Sequence, residues 1–564
     1  MRYMEFIKKI LASKGIIIII FVASMVRLLG VGSVPYGFAN DEVSYIMSGY
    51  EIAKTGGYDI AGNFLPLSVN LDSSLSPVPV YIIALFVKLL GLSSIVARLP
   101  FALMGVGIVA IVYFLVKELF HNRKIAFLSA LVLSFSSWHI VVTRTVWDVI
   151  PAQFFYLLGL YIFLKKVKKG SVLWSLPFFM LGFFSYHGTK VFFAFFIVLL
   201  LFLFGKQLYR RKKEFLFFVS GIFLIFLSFA LVLKTQSVTR QEEIIFTNGS
   251  IQSDLKKTIE FDRAKSSAPH KLILLETNKI TYYLQKMATN YLGAFSSQHL
   301  FTTGDIHPQV AYGIFFKGVL YLLDIPFIIL GFAYLLEKAR LLTGSNKENS
   351  ENGGISYKRG AILIIGGLLV SPLPSTVAAG YSYFIRSFMM APFLSILIGI
   401  GLLIFYEFTR GRQIYKLLLR IFVIVFYGFF ITRFFYQYNY QLNSYGSEYW
   451  NGSSRKLSEY IMQNESRFDK IIIANAEDKV ILQFALVSKA DPYGLQKAWK
   501  KNWPVKLGKV TFTNSCYRDD ELGNVMTSRV FYAVPAGCHE KLLPQTTIAD
   551  SLEPLRIIWK IYEN

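Results

Sequence analysis

Along most of its 564 residues the chain alternates long apolar runs with short clusters of lysine and arginine, and only the C-terminal part breaks that rhythm. A helix of about 20 apolar residues crosses a bilayer, so these runs predict membrane spans. They fall near 15–34, 96–116, 125–142, 150–164, 171–187, 190–205, 215–233, 312–335, 361–379, 387–407 and 416–436, about eleven in all. The basic clusters are Arg2 to Lys14, Lys117 to Lys124, Lys165 to Lys169, Lys206 to Lys213, Lys338 to Arg359 and Arg410 to Arg420. Each later cluster is reached by one run and left by the next. Positive charge collects in cytoplasmic loops, which predicts an N-terminus inside and a first span retained for want of a small-residue cleavage site. An odd number of spans then puts the C-terminus outside, in a protein integral to the cytoplasmic membrane. The run from Pro79 to Gly91 is only about a dozen residues long and holds Lys88. Counting it as a crossing would reverse every later loop, so it is expected to lie along the outer surface.

Beyond about 437 the pattern turns into that of a water-soluble domain, so the expected division is 1–437 in the membrane and 438–564 outside it. Lys470 to Ala474 and Arg529 to Val534 read as strands and Val480 to Ser488 as a helix. The expected fold is therefore an all-α polytopic domain carrying a small C-terminal α/β domain. The only two cysteines, Cys516 and Cys538, both fall in this segment. An oxidising compartment would join them as a disulfide; free thiols are the alternative. Residues 344–354 read as a flexible inner loop.

Composition agrees with the pattern: 54% hydrophobic residues, 17% charged and a mean hydropathy of +0.47 exclude a soluble enzyme. The formal charge of +24 would suit a nucleic-acid partner, but its distribution in clusters between apolar runs excludes one.

The loops placed outside are where chemistry could occur. In the first, Asn40 is expected to cap a short helix whose first turn holds Asp41 and Glu42, whose apolar side is Val43, Ile46, Met47 and Tyr50, and whose end is marked by Gly56 and Gly57. Such acids can simply favour the helix dipole. Glu51, Asp59 and Asp72 are the other acids of that loop. Arg144 and Asp148 occupy the second loop, His187 and Lys190 the third, a long fourth loop runs over 234–311, and Arg386 ends the fifth, after Ser371-Pro372-Leu373-Pro374, which should break a span.

In order and spacing, Asn40-Asp41-Glu42, Gly62-Asn63-Phe64-Leu65-Pro66-Leu67, Ser76-Pro77, Ala97-Arg98-Leu99-Pro100, Lys117-Glu118-Leu119-Phe120, Ser137-Trp138-His139 leading to Arg144 and Asp148, and Tyr186-His187 with Lys190 resemble the GT-C superfamily of membrane glycosyltransferases. Within it they resemble the family 39 type, which includes protein O-mannosyltransferases and the lipid A aminoarabinose transferase. The resemblance implies transfer of a sugar, a mannose-like hexose or a modified pentose, from a polyprenyl-phosphate donor to a protein, lipid or glycan acceptor. It also makes Asp41 the expected catalytic base.

The residue types suit that chemistry. Polyprenyl phosphate leaves as a stable anion and needs cations more than a proton, whereas an acceptor hydroxyl needs a carboxylate to take its proton. Glu42 could orient substrate, and Arg144, Lys190 and Arg386 could bind phosphate, though each could equally snorkel at a span end. Asp148 either acts as a second acid, as in the related metal-dependent oligosaccharyltransferases, or pairs with Arg144. His187 and His139 either meet the acceptor or cap helices. No metal site is assigned and a divalent ion stays open. Family members often carry Lys before the Ser-Pro of the first loop, where this chain has Leu75. A flippase for lipid-linked saccharides, without transferase activity, is the rival reading.

Overall fold

The computed structural model describes the chain apart from residues 1, 71–73, 169, 236–243, 305–316, 340–354, 381–382, 446, 501–502, 519–520, 522–525, 527–528, 539–542 and 552, and the side chains of 2–14, 70, 234 and 235. Asp72, the 344–354 loop and the first residues of the expected 312–335 span lie outside the described residues.

The helices follow in order: α1 (Arg2–Leu28), α2 (Asn40–Thr55), α3 (Pro77–Leu90), α4 (Ser94–Phe120), α5 (Arg123–Phe135), α6 (Ser137–Thr143), α7 (Val149–Lys166), α8 (Leu176–Phe183), α9 (Thr189–Tyr209) and α10 (Lys212–Thr235). Then come α11 (Gly249–Lys265), α12 (His270–Glu276), α13 (Lys279–Gly293), α14 (Asp324–Lys338), α15 (Tyr357–Val370), α16 (Leu373–Thr376), α17 (Tyr383–Arg386), α18 (Met390–Thr409) and α19 (Ile414–Tyr436). The C-terminal part adds α20 (Leu442–Tyr445), α21 (Gly452–Asn464), α22 (Asp478–Ser488) and α23 (Pro492–Trp499). Among the described residues seven helices are long and apolar enough to cross a membrane, and the bent pair α5–α6 makes an eighth. The other three expected spans coincide with shorter helical stretches, Gly15–Leu28, Val172–Phe183 and Asp324–Lys338. The protein is a multi-pass membrane protein.

The sequence pattern reads 125–142 as one span, but the structure bends it by 60° between α5 and α6. Ser136 causes the break: its backbone is extended and its hydroxyl caps the new helix through the His139 N–H. At Ser371 and Pro372 α15 gives way to a short turn before α16, but Tyr357–Thr376 still reads as one span without a sharp bend, so the expected break is only a local interruption.

By its contacts the chain divides into two compact units. The first comprises 1–29, 101–144 and 148–434. Its helices meet through small residues: a Cβ on Gly331 of α14 would stand 2.1 Å from the Leu397 carbonyl oxygen of α18, and one on Gly401 2.0 Å from that of Phe327. Only glycine lets the two backbones approach so closely, the usual device where lipid supplies no hydrophobic drive.

The second unit joins two distant stretches, 30–100 and 435–564, with 145–147. Besides the β1–β2 hairpin (Val69–Asn70, Ser74–Leu75), it holds β3 (Lys470–Ile473), β4 (Val505–Leu507), β5 (Val510–Phe512), β6 (Val530–Pro535), β7 (Thr546–Ala549) and β8 (Ile557–Glu563). They form a six-stranded sheet in the order β4-β5-β3-β6-β8-β7, with β3 parallel to β5 and β6 and the other pairs antiparallel. Ile471, Ile472 and Ile473 are all buried, as in a central strand covered on both faces. Cys516 and Cys538 are bonded to each other, with Cα atoms 6.2 Å apart, and Cys538 packs on Ile472, Tyr532 and Val534. In the first loop, α3 has 14 residues; it buries Val80, Ile83 and Val87 and exposes Leu85, Leu89 and Leu90.

Candidate functional site

Asp41 lies half-buried in the first turn of α2. The helix buries Val43, Ile46, Met47 and Tyr50, and ends at Gly56 in the left-handed conformation. Its start differs from the expected one: Ala39 is the capping position and makes no side-chain cap, while Asn40 is the first helical residue. The amide of Asn40 is engaged elsewhere, its Oδ1 accepting from Asn451 Nδ2 at 2.9 Å.

The strap leading into α2 is held from both sides. From α4, Arg98 donates from Nε to Glu42 Oε1 at 2.7 Å and from Nη2 to Oε2 at 2.9 Å. It also donates to the carbonyls of Pro35 and Gly37, both at 2.7 Å, and its guanidinium lies 4.6 Å from the Phe38 ring centre. Glu42 Oε1 accepts in addition from the Val146 N–H at 3.0 Å. From the C-terminal part, Asn451 and Gln483 both donate to the Phe38 carbonyl at 2.8 Å. Arg455 donates to the Tyr36 carbonyl, and the Tyr36 hydroxyl donates to Glu459. Burial, and then the Glu459 carboxylate, push the Tyr36 hydroxyl well above its usual range. Every charged group in this buttress has a partner, so the direction in which α2 presents Asp41 is fixed.

Glu42, placed by the sequence as a partner in orienting substrate, is fully buried beneath this strap. Arg98, Asn451, Arg455 and Gln483 were not among the expected site residues. Arg98 had one signal, a charge inside the apolar stretch that opens the expected 96–116 span. The other three had none, because their partners lie hundreds of residues away.

Glu51, near the far end of α2, is also fully buried; neither carboxylate oxygen has a well-formed hydrogen bond, though the Gln496 side chain lies close enough to favour the charged form. Burial first, and then the negative charges of Asp491 and Asp59, push its carboxyl up to about 8.

The remaining expected residues belong to the first unit. Arg144 is buried, and its Nη1 donates to the carbonyls of Val26 and Leu29 at 2.9 and 2.7 Å, closing the end of α1. Asp148 is buried at the capping position of α7. Lys190 Nζ stands 3.4 Å from His187 Nδ1 and 4.7 Å from the Phe229 ring centre, so these two third-loop residues do meet. Arg386 is half-buried and donates to the Gly380 carbonyl at 2.7 Å. His139 serves the α5–α6 break. Arg27 donates to its Nδ1 at 2.9 Å and to the carbonyls of Leu133 and Ser134 at 3.0 and 3.1 Å, while His139 Nε2 and Gln153 Oε1 are 3.2 Å apart. A ring that accepts at Nδ1 and donates at Nε2 is neutral. Among the described residues no group of three or more His, Cys, Asp or Glu side chains is set to hold a metal ion.

Residues 74–233 match the sequence model of the family described as dolichyl-phosphate-mannose-protein mannosyltransferase. Over that stretch the chain is similar to the family its motifs resemble. The stretch includes Ala97-Arg98-Leu99-Pro100, Arg144, Asp148, His187 and Lys190; Asp41 and Glu42 lie ahead of it. Two crystal structures of ArnT from Cupriavidus metallidurans are similar. The apo form is 11% identical over 98% of both chains, with a TM-score of 0.49, and the form bound to undecaprenyl phosphate is 10% identical over 97% of both, with a TM-score of 0.47. No curated protein matches the chain.

Proposed function

We propose that the chain is a GT-C-type membrane glycosyltransferase that moves a sugar from a polyprenyl-phosphate carrier to a hydroxyl on a protein, lipid or glycan acceptor at the extracytoplasmic face. The family match over 74–233 carries this reading. It is supported by the seven apolar helices and by a carboxylate on a helix whose entry is clamped.

Asp41 is the base. It takes the acceptor proton as the acceptor oxygen bonds to the anomeric carbon, and the bond from that carbon to the phosphate oxygen breaks. The electron pair leaves with the phosphate, so the carrier departs as an anion and needs cations. Glu42 acts beneath Asp41 as the anchor for Arg98. Of the three candidate cations, Arg386 is the best suited to phosphate, since among the described residues its guanidinium donates to the Gly380 carbonyl alone. Arg144 is engaged on two. Asp148 and His187 are the groups an acceptor or a divalent ion would meet if one takes part, and no step here requires a metal. Residues 438–564 serve as an extracytoplasmic domain.

The test is transfer by the purified full-length protein in detergent, with labelled polyprenyl-phosphate sugar and acceptor both accessible. Asp41→Asn is expected to lower transfer by about 10²- to 10⁴-fold with thermal stability retained. Full turnover by Asp41→Asn removes Asp41 from the mechanism. A protein that moves the lipid across vesicles yet transfers no sugar is a flippase.

A further inference from the structure

A cavity of about 330 Å³ lies in the helical unit between the end of α5, the start of α14, and α18 and α19. Phe135, Ile398 and Ile424 are typical of its apolar wall, and Asp324 and Tyr427 are its main polar groups. Asp324 is buried; its Oδ1 accepts from the Tyr427 hydroxyl at 2.7 Å and its Oδ2 from the Tyr321 N–H at 2.8 Å. A carboxylate offers about four acceptor sites, so capacity remains on both oxygens.

Lys317, on the same stretch of chain, acts on this acid electrostatically, but not through a direct ion pair among the described residues. Its ammonium stands over the rings of Tyr321 and Phe434, at 4.3 and 4.8 Å from their centres. An ionisable residue in a span usually marks a site, and a buried carboxylate calls for a cation or a donor. The rim of the cavity is α19, whose Ile424 is 70% exposed on a helix of membrane-spanning length. Hydrocarbon chains therefore reach the opening of a cavity whose wall is mainly apolar.

We propose that this cavity seats one acyl chain of a membrane phospholipid whose headgroup amine reaches Asp324. The sign of the charge selects the lipid. An acid on the wall attracts an ammonium and repels a head that carries phosphate alone, which separates this occupant from a polyprenyl-phosphate donor. The site is thus distinct from the transferase chemistry, and neither reading depends on the other.

Native mass spectrometry of the full-length protein, titrated with phosphatidylethanolamine, phosphatidylcholine and phosphatidylglycerol of matched chains, tests this directly. One ethanolamine lipid is expected to stay bound under conditions that strip the other two. Asp324→Asn should weaken that lipid by about tenfold, the worth of one charge-assisted hydrogen bond. A Cβ added at Gly428, on the cavity wall, meets nothing within 4 Å, so Gly428→Phe should fold and should lose the retained lipid by filling its place. Equal retention of the three lipids, preference for the glycerol headgroup, or a preference that survives Asp324→Asn overturns the proposal. So does a retained lipid that Gly428→Phe leaves unchanged.

Discussion

Arg98 and Glu42 face each other as a two-point ion pair, 2.7 and 2.9 Å, with neither side chain exposed. The pair ties α2 to α4 one residue away from Asp41. Removing the arginine leaves a buried carboxylate with a single backbone donor, so Arg98→Leu is expected to cost about 3–5 kcal/mol of stability. Arg98→Lys should recover only part of it, because one ammonium cannot hold both carboxylate oxygens and two carbonyls at once. Thermal unfolding of the detergent-solubilised protein measures both, and transfer activity should fall in the same order.

Gly37 makes a second, steric test of the same strap. A Cβ there would stand 1.8 Å from the Trp450 carbonyl oxygen. Gly37→Ala is therefore expected to separate the strap from the C-terminal part and to cost about 2 kcal/mol or more, in the range for overpacking a tight contact. Limited proteolysis at the entry to α2 should report it; an unchanged digestion pattern would show that the contact yields easily.

Glu51 gives the second unit a pH dependence whose sign follows from its raised pKa. The unfolded chain releases this proton near 4.5 and the folded chain near 8, so between those values the folded state holds more protons. Stability is then full below about 4.5 and falls as pH rises towards 8, by at most about 1.4 kcal/mol per pH unit from this group. Glu51→Gln should flatten the profile and raise the unfolding temperature at pH 8 relative to the parent. A parent whose stability rises over that interval, with the variant following it in parallel, would show that Glu51 does not govern the slope.

The bend at Ser136 depends on Arg27, which supplies donors to the Leu133 and Ser134 carbonyls and to His139. A broken helix at membrane depth needs such partners. Arg27→Leu is expected to lower stability by about 3 kcal/mol through unsatisfied buried acceptors. His139→Gln should do less harm, since it removes one acceptor and leaves the carbonyls paired. Unfolding temperatures of the two variants in one detergent decide the order.

Much of this was legible in the chain. The apolar runs and basic clusters led to a polytopic helical protein, and the change of composition near 437 led to a C-terminal α/β part that the sheet of β3 to β8 realises. The helix carrying Asp41, its end at Gly56 and the interruption at Ser371-Pro372 were read from local signals, because caps and prolines act within a few residues. Asn40 shows where local reasoning stops: it has the side chain of a cap, yet Asn451 engages its amide and the helix begins one residue early. The bend at Ser136 was missed for a similar reason. Hydropathy averages over a span, and the donors that make the break tolerable come from α1.

The sequence by itself determined the class of protein, a multi-pass helical membrane protein with a small C-terminal α/β part, since this depends on composition and on neighbours along the chain. Only the tertiary structure decided that residues 30–100 and 435–564 share one compact unit, that Glu42 is an anchor held by Arg98, and that Glu51 is buried beside other acids. Those outcomes rest on desolvation and on hydrogen bonds between residues as far apart as Phe38 and Gln483, and such energies appear only once folding has brought the partners together.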